Sequence, residues 1–376
     1  MIDLLKRLKG HREQNYGDVS RETLKKWYLR KRYICLISFL ILIAVIFVIC
    51  VWSISVSRLE IPFIDTWNIV IDYLSGIRYQ KSTDYIHWYY AKYVVQDLAP
   101  RVVMAVAVGA LLSVCGAIMQ SVTRNPLTDP YTIGISSAAL LGVTISIAYG
   151  VCIIPFLEGD AATIANAFIM AMIPAIVILT ISLFKKLSPS MMILIGIGMM
   201  YIFSSFSTLI KFNATDESLQ RIYEWSLGTL TGVQWMGVEF VLAAFIFIFL
   251  IVFFFAKQIN IMSAGDSLSQ SLGINSVRLR VICFSLVSLA VAVAVCFTGT
   301  IGFVGLVAPH IARLFVGNDN RYLLPLSALT GAIMLVISDV IVRIIPGGIP
   351  VGVLTAIIGS PLFILILVRM RRKSNF

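Results

Sequence analysis

With 376 residues, 59% of them hydrophobic and only 13% charged, the chain has a mean hydropathy of +0.92, whereas a soluble domain carries about a quarter charged residues. Its apolar residues come in long continuous runs. That excludes a soluble globular enzyme and an alternating transmembrane barrel, and leaves a bundle of helices that satisfy their own backbone amides in lipid. The net charge of +11 admits either nucleic acid or basic loops on one side of a membrane, and the placement of the charges favours the loops.

Residues 1–33 are polar and basic, with ten Lys and Arg, and read as a cytoplasmic N-terminal extension. The apolar run 34–56 is too long for the hydrophobic region of a signal peptide and lacks a small-residue cleavage site, so it is read as a retained first span. Segment 57–97 follows as an outer loop. It carries eight tryptophans and tyrosines between Trp67 and Tyr93, which suit a membrane interface or a short helix packed over an outer mouth.

Nine further apolar runs, each near the roughly 20 residues a bilayer crossing requires, lie at 101–120, 131–154, 164–184, 190–211, 237–256, 280–298, 300–316, 324–344 and 351–369. The predicted fold is therefore an all-α polytopic membrane protein with ten transmembrane helices over 34–369, and a basic cytoplasmic tail at 370–376. Gly109, Ser113 and Ala117 recur every four residues in the second span, as do Gly134, Ala138 and Gly142 in the third. Such stripes of small residues let helices approach closely and mark packing faces. The inner segment 257–280 is too polar for lipid. In it Leu268 and Leu272 share one helical edge, Asp266 stands near a helix start and Gly273 provides a stop, which predicts a short amphipathic helix lying along the membrane.

An even number of spans puts both termini on one side. With that side cytoplasmic, 22 of the 30 basic residues face inward and the acidic ones lean outward, as the positive-inside rule requires. The expected location is the cell membrane, and no nucleic-acid partner is needed.

Chemistry-bearing residues within spans are few. Asp339 and Arg343 stand four apart on one helical face, a spacing that permits an ion pair. His310 follows a proline in the weakest span and reads as a packed residue. The six cysteines lie in or beside apolar runs without a CxxC pair and read as small hydrophobes. No metal-ligating cluster and no catalytic constellation stands out. Nowhere is a glycine followed by lysine, so the phosphate-binding GxxxxGK[ST] loop is missing. The chain reads as a non-enzyme without a cofactor of its own. If it transports actively, the energy comes from a partner or, in a rival reading, from an ion gradient. No buried carboxylate–histidine relay speaks for that rival.

Three blocks carry a specific resemblance. The first is LAPR (98–101) with GAIMQSVTRNPLTDPYTIGIS (116–136). The second is WSLGTLTG (225–232) with GDSLSQSLGI (265–274). The third is GTIGFVGLVAPHIARLFVGNDNRYLLPLSALTGA (299–332), followed by SDVIVR (338–343) and IPVGVLTAIIGSPLFILIL (349–367). Over residues 98–369 the chain resembles the BtuC/FecCD-type permeases of ABC importers for cobalamin, haem and iron–siderophores. The resemblance implies a ten-helix permease paired with an identical or related second subunit. Two cytoplasmic ATPase subunits, which hold the ATP and Mg, would sit beneath it, and an extracytoplasmic substrate-binding protein above. It implies that Gly265, Asp266, Ser267, Leu268, Gln270, Leu272 and Gly273 meet the ATPase. It also implies that Arg101 and Arg343 dock the binding protein, while Leu98 stands where the family has a further arginine. Ferric siderophore is the expected cargo, with haem and cobalamin as alternatives.

Overall fold

The computed structural model describes residues 21–374 apart from Arg58, Glu60 and Lys186. The expected N-terminal extension therefore falls largely outside the described residues. Among those described, every regular element is helical.

The first helix, α1 (Arg21–Ser55), leads into α2 (Phe63–Leu74) and α3 (Tyr85–Tyr93). A five-residue π turn, Val94–Leu98, joins α3 to α4 (Ala99–Thr123) without a break. The sequence places a loop up to residue 97, but the structure continues the helix through it. Pro100 falls in the first turn of α4, where its missing N–H costs little, and the wider π turn takes up the misfit. The predicted loop thus contains two helices, one of them an extension of the second span.

Next come α5 (Ile135–Tyr149), α6 (Gly159–Phe184), α7 (Pro189–Phe212), α8 (Asp216–Ser226) and α9 (Trp235–Phe254). The chain closes with α10 (Ala256–Ala264), α11 (Asp266–Ser271), α12 (Ser276–Thr298), α13 (Val304–Val316), α14 (Asn320–Ile344) and α15 (Val351–Ser374). Polar side chains set the starts of several. Ser188 accepts from the Met191 N–H at 3.3 Å, Asn275 from Arg278 at 3.0 Å and Asp319 from Arg321 at 3.1 Å, each satisfying an orphan donor of a first turn.

Seven of these helical stretches are long and apolar enough to cross a bilayer, and α5, α13 and the apolar part of α15 are shorter. The ten predicted spans are present, but the third and eighth are cut back. At about 1.5 Å per residue, the 15-residue α5 covers roughly 22 Å of a hydrocarbon core about 30 Å thick. Irregular backbone completes such crossings and is tolerated where protein covers it. Gly134 is accordingly not part of the helical stripe expected for it. It sits at φ +90° between a 3-10 turn (Pro130–Ile133) and α5, and Ala138 and Gly142 alone lie within α5.

The centre of the bundle is α4, buried along nearly its whole length, with α14 as its most extensive neighbour and α9, α12 and α13 around it. The small-residue expectation explains this contact. A Cβ on Gly109 would come within 2.9 Å of the Ala332 Cα and collide with the Gly331 carbonyl. About two turns on, Gly116 faces Gly305 of α13, and a Cβ there would lie 2.9 Å from the Gly305 Cα. Ser113 and Ala117 are fully buried beside them. In α5, Gly142 abuts the Asn166 carbonyl of α6. Gly116→Ala is therefore expected to cost at least the 1–3 kcal/mol of an overpacked core, roughly, and to reduce the monodisperse fraction on size-exclusion chromatography. The same change at Gly150, which has open space around it, should strain only its turn.

Candidate functional site

Two clusters of charge lie at opposite ends of the bundle, and a polar face runs along α7 between them.

At the first end, α9 turns into α10 and α11. Gly265 makes the break between them at φ 147°, ψ 147°, a backbone region that glycine tolerates best. Ser269 is fully buried and ties the turn down, donating to the Gly265 carbonyl at 2.8 Å and to Ile261 at 3.3 Å. Its neighbours point outward. Leu268 is 46% and Leu272 58% exposed, with Ser267, Gln270 and Gly273 exposed beside them. Every residue expected to meet a partner is thus at least partly accessible, whereas Ser269, which is not in that set, faces inward.

Asp266 holds this knuckle to the bundle. Its carboxylate accepts from Arg280 of α12 at 3.0 Å and also from Arg124. Arg124 closes α4 in a left-handed conformation (φ 54°) and donates to the Met262 carbonyl through Nε at 3.0 Å and Nη2 at 2.7 Å. Partial desolvation alone would raise the Asp266 pKa, but the two guanidiniums outweigh it and hold the carboxyl below the ordinary carboxylate range. On the other flank Asn260 donates to Asp319 at 2.7 Å and accepts from the Asn320 N–H and side-chain amide, both at 2.8 Å. The α10–α11 unit is thereby fastened to α4, α12 and α14. Sequence reasoning singled out Asp266 but neither Arg124, Arg280 nor Asn260, whose partners lie 14 to 142 residues away.

At the opposite end, the i, i+4 pair expected of Asp339 and Arg343 forms, with 3.1 Å between Arg343 Nε and an Asp339 oxygen. Arg101 completes the cluster, donating through Nε to the other oxygen at 2.6 Å and through Nη1 to Thr231 at 3.2 Å. Arg343, expected to dock a partner, lines the same cleft as Arg101 but offers it little surface. Its side chain is 4% exposed and donates to the Ser53 carbonyl at 2.8 Å, the Val56 carbonyl at 2.9 Å and the Ser53 hydroxyl. Those carbonyls are at the C-terminal end of α1, where a cation relieves unpaired acceptors. Arg343 is a cap for α1. Arg101 remains partly accessible and borders a cleft of about 840 Å³ together with Asp97, Tyr93, Glu224 and Thr231.

The third feature went unread in the sequence. Tyr201, Ser204, Ser205 and Thr208 line an open hollow on α7, and all four are exposed. Hydroxyls on the outer face of a membrane-length helix fit water or a neighbouring subunit better than lipid. Their i, i+3, i+4, i+7 spacing in an otherwise apolar run was the available signal. His310 is packed as expected, with Nδ1 2.7 Å from the Leu306 carbonyl and its ring edge-on to Phe363.

Comparison with known proteins agrees with this architecture. The chain is 38% identical over 273 residues to the probable iron chelatin transport system permease protein of Helicobacter pylori strain J99, covering 72% of this chain and 81% of the relative. It is 36% identical over 361 residues to the Fe(3+)-citrate import system permease protein YfmE of Bacillus subtilis, covering 92% and 98%. Among solved structures it is similar to the inward-facing conformation of a putative metal-chelate type ABC transporter, with a TM-score of 0.75 and 26% identity over 88% of this chain and 98% of that one. The model of the FecCD transport family matches residues 41–369, so the chain belongs to the FecCD transport family.

Proposed function

We propose that this chain is the membrane permease of an ATP-driven importer and that it passes an iron chelate, in the first place a ferric siderophore, across the bilayer. The observation that carries the reading is the α10–α11 knuckle, which presents two unpartnered leucines while Asp266 ties it to α4 and α12 and Asn260 ties it to α14. Such a part transmits a push from a separate ATPase to the spans, since a rigid lever tilts whatever is fastened to it.

Basic residues of the inner loops, among them Arg124 and Arg321 beside the knuckle, support a cytoplasmic position for that end and, with an even number of spans, for both termini. Two ATPase subunits, carrying ATP and Mg, then sit below, and an extracytoplasmic binding protein meets the cleft beside Arg101. The hydroxyl face of α7 turns toward a second permease subunit, identical or related, and lines the path between the two copies. A mostly apolar path with scattered hydroxyls suits a bulky chelate that is released rather than held.

The test is to capture the binding protein with the assembled complex and identify its ligand by native mass spectrometry. An iron chelate is expected. Haem or cobalamin would move the cargo within the family, and a sugar or amino acid would overturn the substrate class. Replacing Leu268 and Leu272 by aspartate should weaken ATPase co-purification by about tenfold or more, as loss of apolar anchors does at an interface. Undiminished co-purification would remove the knuckle from the contact.

A further inference from the structure

The segment between α1 and α4 contains a helix whose two faces are both apolar. The inner face of α2 presents Thr66 and Ile69, both buried, and Ile69 packs in a small cluster with Ile61, Val94 and Leu98. The opposite face presents Phe63, Ile64, Trp67, Ile71 and Leu74. At 100° per residue these five fall within about one third of the helix circumference. Ile64 is 71% and Leu74 80% exposed. The acidic residues, Asp65 and Asp72, are half-buried together on one flank between the two apolar faces. A helix surrounded by water would carry polar residues on that outer face.

The level of α2 relative to the bilayer follows from α1. The apolar stretch Arg32–Ser55 is 24 residues long, about 36 Å at 1.5 Å per residue, so its end at Ser55 lies at the head groups. The outer side of α1 there is open, with Phe47, Val48 and Trp52 exposed. Only seven residues separate Ser55 from Phe63, and α2 touches α1, with Ile54 of α1 packed against the cluster beneath α2. The exposed face of α2 therefore continues the lipid-facing surface of α1. Next to it stand cations on aromatic rings, Arg78 3.7 Å above the Tyr73 ring, and Lys81 and Lys92 at 5.4 and 5.7 Å from Trp88. That is the composition of a membrane interface, where aromatic bodies and basic tips bridge acyl chains and phosphates.

We propose that α2 is an interfacial lipid-binding helix, with Phe63, Ile64, Trp67, Ile71 and Leu74 set among the acyl chains of the leaflet at this end and Arg78, Lys81 and Lys92 at its phosphates. The partner is phospholipid. The helix anchors the roof over the cleft at Arg101 to the membrane, because that cleft is bordered by Tyr93, the last residue of α3, and Asp97 in the π turn after it, and α3 packs on α2. This inference needs only a membrane-spanning chain and stands apart from the proposed cargo and energy source.

The experiment places single reporters on the full-length protein in phosphatidylcholine vesicles. Leu74→Trp and Ile64→Trp are made at exposed positions, with Gln80→Trp in the adjoining exposed turn as the aqueous control. The emission of the added residue is taken by difference from the unsubstituted protein. Lipid contact predicts blue-shifted emission at 64 and 74, and quenching by phosphatidylcholine brominated on its acyl chains at least about twofold stronger than at 80, with iodide quenching in the reverse order. Iodide quenching at 64 and 74 equal to that at 80 overturns the proposal. Shielding from both quenchers also overturns it and assigns the face to a protein partner or a second copy. As a check independent of tryptophan, Ile71→Asp should abolish the bromolipid quenching at Leu74→Trp while the protein stays monodisperse. Persistence of that quenching counts against the apolar face as its cause.

Discussion

Asp339→Asn is expected to be the most destabilising polar substitution in the bundle, lowering stability by about 3–5 kcal/mol. The carboxylate is fully buried, between Arg101 at 2.6 Å and Arg343 at 3.1 Å. Its removal leaves two guanidiniums facing one another, one of them almost wholly out of water. The cost arises from the uncompensated charge, so it should be much smaller where both charges are removed. Asp339→Asn combined with Arg101→Gln should recover part of the loss, and a double-mutant cycle should show coupling beyond 1 kcal/mol, roughly, as residues in one ionic network do. Arg343→Lys in the otherwise unchanged protein should itself be destabilising, because a single ammonium cannot reach the Asp339 carboxylate and the Ser53 and Val56 carbonyls together. The measurement is the unfolding transition of the purified protein in nanodiscs. A shift for Asp339→Asn no larger than that of an exposed serine substitution on α7 would falsify the account of this cluster.

The second large effect is expected at the other end. In the assembled complex, Asp266→Ala should lower transport per ATP hydrolysed on the order of tenfold, the upper range for a coupling residue. The permease itself should fold and insert normally, because Asp266 is nearly half exposed. Without it Arg124 keeps its bonds to the Met262 carbonyl, but Arg280 of α12 loses its acidic partner and the knuckle is held on two sides instead of three. Asp266→Glu should restore part of the coupling by reaching the same guanidiniums. Equal loss of transport and hydrolysis, with the ratio unchanged, would contradict a coupling role and point to loss of the ATPase contact alone. The pH dependence follows from the sign of the shift. A carboxyl whose folded-state pKa is depressed contributes stability above the unfolded value and loses it as pH falls through the folded one. The Asp266 latch is therefore fully formed at neutral pH and opens only below the ordinary carboxylate range. Coupling should accordingly show no step between pH 6 and 8, about, from this group.

Several features of the fold were readable because they depend on neighbours along the chain. Long apolar runs show that a segment is a membrane helix, since lipid offers its backbone no other partner. Small residues four apart show which side of α4 is packed, and Leu268, Leu272 and Gly273 show a short helix and its stop. The same reasoning misplaced Gly134, because a stripe at helical spacing does not reveal that the chain turns left-handed before the helix begins. It carried the third and eighth spans too far because hydropathy does not distinguish a helix from irregular apolar backbone covered by protein. It also read residues up to 97 as a loop, because the polar and aromatic composition there hides the continuation of α3 into α4.

The two arginines around Asp339 mark the boundary between local and distant information. Asp339 and Arg343 share a helical face, and their pairing was already visible as an i, i+4 spacing. That Arg101, 238 residues away, is the closer partner of Asp339, and that Arg343 is committed to the end of α1, could not be read from any spacing. The Arg101 contact exists because Gly109 and Gly331 let α4 and α14 approach until backbone meets backbone, which brings the first turn of one helix beside the last turns of the other. The sequence by itself determined a ten-helix membrane chain with a short helical segment too polar for lipid between two of its spans. Only the tertiary structure decided which charges meet, since a buried ion pair forms where packing places it and chain distance imposes no limit on that.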